Sequence, residues 1–179
     1  MGLGERYKRW RHTRGYGVHS PFAYRMVTEV IQDPKGYAYY GFENIDPGRR
    51  RKEKRFLRSL LRLAAINDVG SAYLAKSRQN EPLKQVLLAA NPEMKIIPEK
   101  AFVNDARLII LSGEELALEQ LEELLDRPGR MLLLRDYPRD WADVLFNALD
   151  EGLVLEAPRT LIVISRYGMQ KVRYSICDL

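Results

Sequence analysis

Few side chains in this sequence are of the types that carry out acid–base or nucleophilic chemistry. Histidine is the residue type best suited to acid–base chemistry near neutral pH, which makes His19 the candidate general base. A histidine between a glycine turn and a helix start often fixes its loop by hydrogen bonding instead, and that alternative stays open. His12 is expected to belong to a basic segment. Cys177 has no neighbouring base and is expected to be a strand residue rather than a nucleophile.

Asp136 is the carboxylate whose position points to a ligand, because it follows the buried apolar run 130–134. Parallel α/β sheets bind ligands beyond the carboxyl ends of their strands, which would place Asp136 at a binding edge. The alternative is that it caps the helix starting near Pro138, and the sequence favours neither. Arg135 brings the wrong charge for a cation, so the sequence predicts no metal site.

Length and composition limit the class of protein. With 179 residues, 46% apolar and 30% charged, the chain is expected to form one folded unit with a sizeable core. No apolar run reaches the ~18 residues of a membrane-spanning helix, and the first residues do not resemble a signal peptide. A single cysteine cannot form an internal disulfide, which fits a reducing cytoplasm. We therefore expect a cytoplasmic protein without a membrane partner.

The net charge of +5 is unevenly distributed. Residues 1–62 carry 15 basic and 6 acidic side chains, whereas the remainder carries 14 basic and 18 acidic ones. The basic region between 49 and 62 fits either an acidic or nucleic-acid partner or the solvated face of an amphipathic helix over 49–64. Aromatic residues lie among a first basic cluster near the N-terminus, without a recognised nucleic-acid-binding signature. The partner-binding candidates are Arg49, Arg50, Arg51 and Arg55.

The N-terminal region is expected to be a basic helical extension over residues 1–64. Ser20 followed by Pro21 predicts a helix that runs to about residue 32. A tyrosine-rich connector over 37–42 leads to the amphipathic helix. Its tyrosines fit either a homodimer contact or core packing.

From residue 65 onward, strands and helices alternate. Ser112 and Glu115 match a capping box at the start of a helix to about residue 126. A turn at Tyr167 and Gly168 predicts a hairpin between the last two strands. Residues 65–71 are predicted as a short strand that leads into a turn. The other predicted strands are 94–97, 106–111, 130–134, 153–156, 160–165 and 171–177. The other predicted helices are 72–79 and 141–149, and 85–90 fits either type. Residues 65–179 are therefore predicted to form a doubly wound, Rossmann-like α/β domain with a mostly parallel sheet and a C-terminal antiparallel hairpin.

The segment 15–22, Gly-Tyr-Gly-Val-His-Ser-Pro-Phe, resembles the opening of a bacterial group of small methyltransferase-like proteins. In that group a tyrosine-rich connector and a basic helix follow, as at 37–43 and 49–62 here. The stretches 105–113 and 130–141 resemble two later strands of the same group. The chain is thus similar to class I S-adenosylmethionine-dependent methyltransferases, whose mostly parallel sheet ends in an antiparallel hairpin.

This resemblance implies a cofactor site with a glycine-rich turn after the first strand and an acid after the second. Asp68, Gly70 and Ser71 are the candidates for the turn, and Asp136 lies at the predicted binding edge. Glu93 is the candidate acid, although an exposed turn residue is the alternative. A single glycine replaces the Gly-x-Gly-x-Gly-like turn of the family.

We therefore predict a degenerate S-adenosylmethionine site with little or no catalysis, in a protein that acts through an interaction surface. One alternative is an active methyltransferase with an atypical glycine turn and an unidentified small acceptor. Another is a polyanion-binding or nucleic-acid-binding module that uses the basic N-terminal half.

Overall fold

The structure, a computed structural model, describes residues 2–32, 51–74, 80–112 and 116–177. Several predicted features lie outside the described residues: the connector at 37–42 with Tyr37, Tyr39 and Tyr40, Arg49, Arg50, residues 75–79 and Glu115. A homodimer contact through the connector therefore stays a prediction.

The N-terminal region is helical, as predicted. Helix α1 spans Leu3–Thr13, and α2 spans Pro21–Arg25 and continues as a π-helical segment over Met26–Gln32. The Ser20 hydroxyl accepts a hydrogen bond from the Ala23 amide at 3.3 Å, so the predicted helix start is confirmed. The sequence pattern did not predict the π-helical widening.

Helix α3, Arg51–Ile66, is amphipathic, as predicted. The apolar positions of its predicted stripe are all buried: Phe56, Leu57, Leu60, Leu61 and Ala64. The sequence places Arg62 on the basic surface, and this is wrong because the residue is only 3% exposed. Its Nε donates to the Val30 carbonyl at 2.8 Å, which ties α3 to the π-helical segment.

The predicted strand over 65–71 is wrong. Helix α3 continues through these first residues, because alanine favours a helix and Ile66 packs against the core from the last helical turn. Strand β1 spans Ser71–Leu74, so the turn between these elements precedes the first strand rather than following it. Residues 85–90 belong to helix α4, Glu81–Ala90, and β2 follows at Lys95–Ile97.

The remaining elements follow the predicted alternation. The predicted helix start at Ser112 is wrong, because Ser112 pairs with Arg135 as the last residue of its strand. The helix begins only after Ala117. The elements are a 3-10 segment (Lys100–Asp105), β3 (Leu108–Ser112), α5 (Leu118–Leu125), β4 (Met131–Arg135), α6 (Trp141–Ala148), β5 (Gly152–Glu156), β6 (Thr160–Ser165) and β7 (Val172–Ser175).

Within the described ranges the strands form one seven-stranded sheet in the order β2-β1-β3-β4-β6-β5-β7. Strand β6 runs antiparallel to β4 and β5, and the other pairings of this sheet are parallel. The predicted hairpin between the last two strands is wrong, since the hairpin joins β5 and β6, with Leu155 opposite Ile162. Both edges of β6 are occupied by β4 and β5, so the turn at Tyr167 and Gly168 cannot pair β7 with it.

Helices cover both faces of the sheet. The face of Leu108 and Met131 packs against the N-terminal helices, α3 and α4, whereas the face of Ile109 and Leu132 packs against α5 and α6. The chain is therefore a mixed α/β protein. The predicted extension and the predicted sheet region share one core.

Parallel strands place their carboxyl ends at one edge of the sheet, which we call the carboxyl edge. The opposite edge, where these strands begin and β6 ends, is the amino edge. The strands that end at the carboxyl edge do so at Leu74, Ile97, Ser112, Arg135, Glu156 and Ser175.

Candidate functional site at the carboxyl edge

The segment predicted as the cofactor turn forms the C-terminal cap of α3. The Val69 amide donates to the Ala64 carbonyl at 3.0 Å, and the Asp68 amide donates to the Ala65 carbonyl at 3.3 Å. These two bonds are the pattern of a Schellman motif, and Asp68 takes the left-handed conformation that the motif needs, with a φ of 49°. The turn therefore lies at the amino edge, away from the edge where α/β sheets bind ligands.

Gly70 and Ser71 also join elements at the amino edge. A Cβ atom at Gly70 would meet no heavy atom within 4 Å, so the described surroundings do not require a glycine there. The Gly70 carbonyl accepts from the Lys95 amide at 3.0 Å. The Ser71 hydroxyl donates to the Asp105 carbonyl at 3.0 Å and accepts from the Arg107 amide at 3.1 Å. These contacts hold the start of β1 beside β2 and β3.

Two acids flank β2, and only the second lies at the carboxyl edge. Glu93 occupies the exposed turn before β2, where its amide donates to Asn91 Oδ1 at 3.0 Å. Glu99 lies two residues beyond the last residue of β2. In dinucleotide-binding α/β folds, an acid that follows the glycine turn by about 20 residues binds the ribose hydroxyls. The sequence carried this signal, since Glu99 directly follows an apolar run and Pro98, and the sequence interpretation missed it.

Asp136 follows β4 at the carboxyl edge, as predicted. Arg159, in the connection between β5 and β6, donates from Nε to Asp136 Oδ1 at 2.7 Å. This hydrogen bond lowers the pKa of the Asp136 carboxyl below its ordinary value, against the opposing effect of partial burial. Within the described ranges no hydrogen bond joins this carboxylate to α6, so the helix-capping alternative is wrong. The carboxylate instead fixes the end of the hairpin.

The structure thus brings Glu99 and Asp136 to one edge and leaves Asp68, Gly70 and Glu93 at the other. Strands β1 and β3 lie between the strands that precede the two acids. Three strand spacings separate those strands by about 14 Å. The residues directly after β1 and β3 lie outside the described ranges.

Both histidines contact β7. The His19 amide donates to the Tyr174 hydroxyl at 3.3 Å, so the backbone of His19 helps to fix its loop. His12 Nδ1 lies 3.1 Å from the Ser175 carbonyl, and the His12 ring packs edge-on against Tyr174 with 5.4 Å between centroids. Burial lowers the pKa of His12, which favours a neutral ring that donates from Nδ1. His12 therefore packs against the sheet instead of belonging to the basic surface.

A buried arginine docks α1 at the carboxyl edge. Arg9 is 8% exposed and donates from Nη1 to the carbonyls of Glu156 and Ile176, at 2.8 and 3.2 Å. Its Nη2 donates to one carboxylate oxygen of Glu156 at 3.3 Å, and Arg173 donates to the other at 2.7 Å. One basic residue of the N-terminal extension therefore binds the acidic C-terminal half of the chain.

Docking of α1 creates a cavity of about 620 Å³, which we call the arginine-lined cavity. This volume suits a small organic ligand or one nucleotide. Arg14 and Arg55 are its exposed cations, and neither has an ion-pair partner in the described part of the chain. The cavity was missed from the sequence because distant segments line it. Its lining residues are Trp10, Thr13, Arg14, Tyr16, Gln32, Arg55 and Cys177.

The start of α3 lies over the end of β4. The Arg135 guanidinium is 4.4 Å from the ring centroid of Phe56, the residue after Arg55. The Cys177 amide, just beyond β7, donates to the Thr13 hydroxyl at 2.8 Å. Both contacts place the arginine-lined cavity at the carboxyl edge. Cys177 lies two residues beyond the end of β7, so its prediction as a strand residue is wrong.

Comparison of the chain with family models, with curated proteins and with solved structures found no match. Among the described residues, no group of three or more His, Cys, Asp or Glu side chains could hold a metal ion. No helix in the same ranges is long and apolar enough to cross a lipid bilayer.

Proposed function

We propose that this chain is a methyltransferase-like α/β protein with a degenerate S-adenosylmethionine site and little or no catalytic activity. The architecture supports the proposal, because the mostly parallel sheet carries helices on both faces and contains the antiparallel hairpin β5–β6 near one end. The resemblance of segment 15–22 and its neighbours to class I methyltransferases implies a mostly parallel sheet with such a hairpin, although here β7 lies beyond the hairpin at the end of the sheet. The cofactor would bind at the carboxyl edge.

The position of Gly70 is the observation that carries the proposal. Gly70 precedes β1 and lies at the amino edge. The sequence contains no glycine between Gly70 and Gly113, so the connection after Leu74 is free of glycine. Backbone amides approach a nucleoside or phosphate closely only where no side chain intervenes. A ligand at the end of β1 would therefore lack the glycine backbone amides that normally approach it closely.

Among the described residues, Glu99 occupies the position of an acid that binds ribose hydroxyls. A hydrogen bond to a charged group contributes roughly 1.5–3 kcal/mol. Association costs at least about 4 kcal/mol in lost translational and rotational freedom. Hydrogen bonds from Glu99 to two ribose hydroxyls would do little more than offset that cost, so this acid alone does not hold the cofactor.

The described residues at the carboxyl edge also offer a poor general base. The hydrogen bond from Arg159 lowers the pKa of the Asp136 carboxyl, which reduces its ability to take a proton. The His12 ring packs against β7 with its Nδ1 directed at a carbonyl. An acceptor that needs deprotonation would find little help from these groups.

Thermal unfolding with S-adenosylhomocysteine tests the proposal. A ligand present at 100 times its Kd stabilises the folded state by about 2.7 kcal/mol, which raises Tm by several degrees. We expect no change in Tm at a ligand concentration of about 1 mM. This result would mean a Kd above about 1 mM, which corresponds to a binding free energy weaker than about −4 kcal/mol. A concentration-dependent rise that is lost in Glu99→Gln and kept in Glu93→Gln would establish a working cofactor site instead.

The polyanion-binding alternative has one supporting observation. Arg51 and Arg55 are exposed at the start of α3, as a binding surface would require. Arg49 and Arg50 lie outside the described residues. A solvated helix face would carry the same exposed charge, so this observation does not distinguish the two interpretations. Further support for polyanion binding must come from other surfaces of the N-terminal half.

A further inference from the structure

Three exposed aromatic rings lie side by side on α1 and the turn after it, and we call them the aromatic ladder. Tyr7, Trp10 and Tyr16 are 61%, 43% and 57% exposed. The ring centroids of Tyr7 and Trp10 are 5.9 Å apart with 19° between the ring planes, and those of Trp10 and Tyr16 are 6.5 Å apart with 24°. Single exposed aromatic residues are ordinary, but three rings in mutual contact form one exposed aromatic patch.

Arginine side chains lie against this ladder. The Arg14 guanidinium is 4.7 Å from the Trp10 ring centroid, and that of Arg11 is 6.0 Å from the Tyr7 ring centroid. Such contacts place the guanidinium groups beside the rings, where their N–H groups can still donate to an anion. The ladder therefore combines stacking surfaces with fixed positive charge.

The surrounding charge is almost entirely positive. Arg6 and Lys8 are exposed on the same helix. The acid of α1, Glu5, accepts a hydrogen bond from the buried Arg9 at 3.0 Å, so its charge is offset. A polyanion approaching α1 would therefore meet basic groups along the helix.

The ladder continues into the arginine-lined cavity. Trp10 and Tyr16 belong to both, and Arg14 and Arg55 also line the cavity. Both arginine side chains are exposed, and within the described ranges neither forms an ion pair. Stacking surfaces and phosphate-binding groups are thus joined in one site.

We infer that the aromatic ladder and the arginine-lined cavity together bind single-stranded nucleic acid. Unpaired bases present flat faces that stack on Tyr7, Trp10 and Tyr16, and the phosphates between them bind Arg14 and Arg55. Aromatic platforms beside a basic groove are the physical basis of single-strand binding without strong sequence preference. Duplex DNA would hide the base faces, and an acidic peptide would not need a row of aromatic rings. The inference does not depend on the S-adenosylmethionine proposal.

Fluorescence anisotropy with labelled oligouridylate and oligothymidylate of about 12 nucleotides tests the inference at low salt. We expect saturable binding to the full chain by at least one of the two strands, with a matching duplex at least about tenfold weaker. Trp10→Ala should weaken binding at least about fivefold, whereas Trp10→Phe should retain most of it, because phenylalanine still offers a ring. Binding should also quench Trp10 fluorescence, since the other tryptophan, Trp141, is buried.

The salt dependence separates a specific phosphate contact from general attraction. For single strands the slope of log Kobs against log salt is about −0.7 per neutralised phosphate. Arg14→Gln and Arg55→Gln should each reduce the magnitude of that slope by about 0.7. Lys84→Gln removes the same charge from an exposed position on α4, which connects β1 and β2 at the far end of the sheet, and should leave the slope unchanged.

Four results would overturn the inference. The first is the absence of binding by both strands at low salt. The second is equal binding of the duplex and the single strands. The third is an equal effect of Lys84→Gln and Arg14→Gln, which would show only general charge attraction. The fourth is full displacement by a mononucleotide at the same phosphate concentration, which would identify the cavity as a small-molecule site.

Discussion

At the scale of single residues, the position of Asp68 is explained by the cap of α3, although the sequence predicts Asp68 as a cofactor-binding residue. Its φ of 49° closes the cap of α3. This conformation costs a residue with a Cβ atom about 1–2 kcal/mol, and aspartate is among the residues that tolerate it best. Its carboxylate also lies at the negative end of the helix, which is unfavourable. Aspartate is thus tolerated here, and no ligand is needed to explain the turn.

Asp68→Gly is therefore expected to stabilise the chain. Glycine takes a positive φ without strain, and the substitution removes a negative charge from the helix C-terminus. The free energy of unfolding should rise by about 0.5–1 kcal/mol, measured from the urea midpoint with an unchanged m value.

Two further variants separate conformation from charge at this position. Asp68→Asn keeps tolerance of the left-handed conformation and should change stability little, whereas Asp68→Val should lower it by about 1–2 kcal/mol because a β-branched side chain is strained there. A loss of stability in Asp68→Gly would mean that the carboxylate makes a stabilising contact and would contradict this account of the cap.

The candidate site shows which residue-level signals the sequence contains. Asp136 was predictable because a buried apolar run precedes it directly. Glu99 was also predictable, because it follows β2 and the acids that bind ribose follow their strand, whereas Glu93 precedes β2. Arg159, which pairs with Asp136, was not predictable, because that contact depends on β6 lying next to β4.

At the scale of elements, the long apolar runs specified their strands and the short mixed ones did not. Strands β3 and β4 are uniformly apolar over four positions and were predicted to within two residues. Strand β1 has only four residues and follows the last turn of α3, so the apolar pattern of the helix runs into it. The hairpin was misplaced because strand pairing is decided by long-range packing, whereas a turn motif reports only a local reversal.

Arg9 supplies the buried charged contact of helix α1, beside the contacts that His12 and Thr13 make with β7 and the residues after it. Arg9→Ala should therefore loosen α1, since the carbonyls of Glu156 and Ile176 would lose their charged donor. Amide hydrogen exchange within Leu3–Thr13 should accelerate at least about tenfold, a local destabilisation of about 1.4 kcal/mol.

The matched control for this prediction lies on the same helix. Arg6→Ala removes an exposed arginine and should leave the exchange rates of α1 nearly unchanged. Equal exchange in both variants would show that Arg9 does not hold the helix, and that other contacts of α1 do.

At the scale of the whole molecule, the N-terminal helices and the sheet form one core, and the two charged halves meet at the carboxyl edge. Arg9 binds Glu156 there, while Arg14 and Arg55 stay exposed beside it. The edge that serves a cofactor in nucleotide-binding α/β proteins is thus lined with arginines at the end near β7, whereas Gly70 lies at the amino edge. We propose that this molecule retains the methyltransferase-like architecture and has lost its cofactor site.

Calorimetric titration of the full chain with S-adenosylhomocysteine, and then with S-adenosylmethionine, tests that claim most directly. The account predicts no saturable heat with either compound. Binding of one molecule per chain with a Kd below about 10 μM, equivalent to roughly −7 kcal/mol, would contradict it.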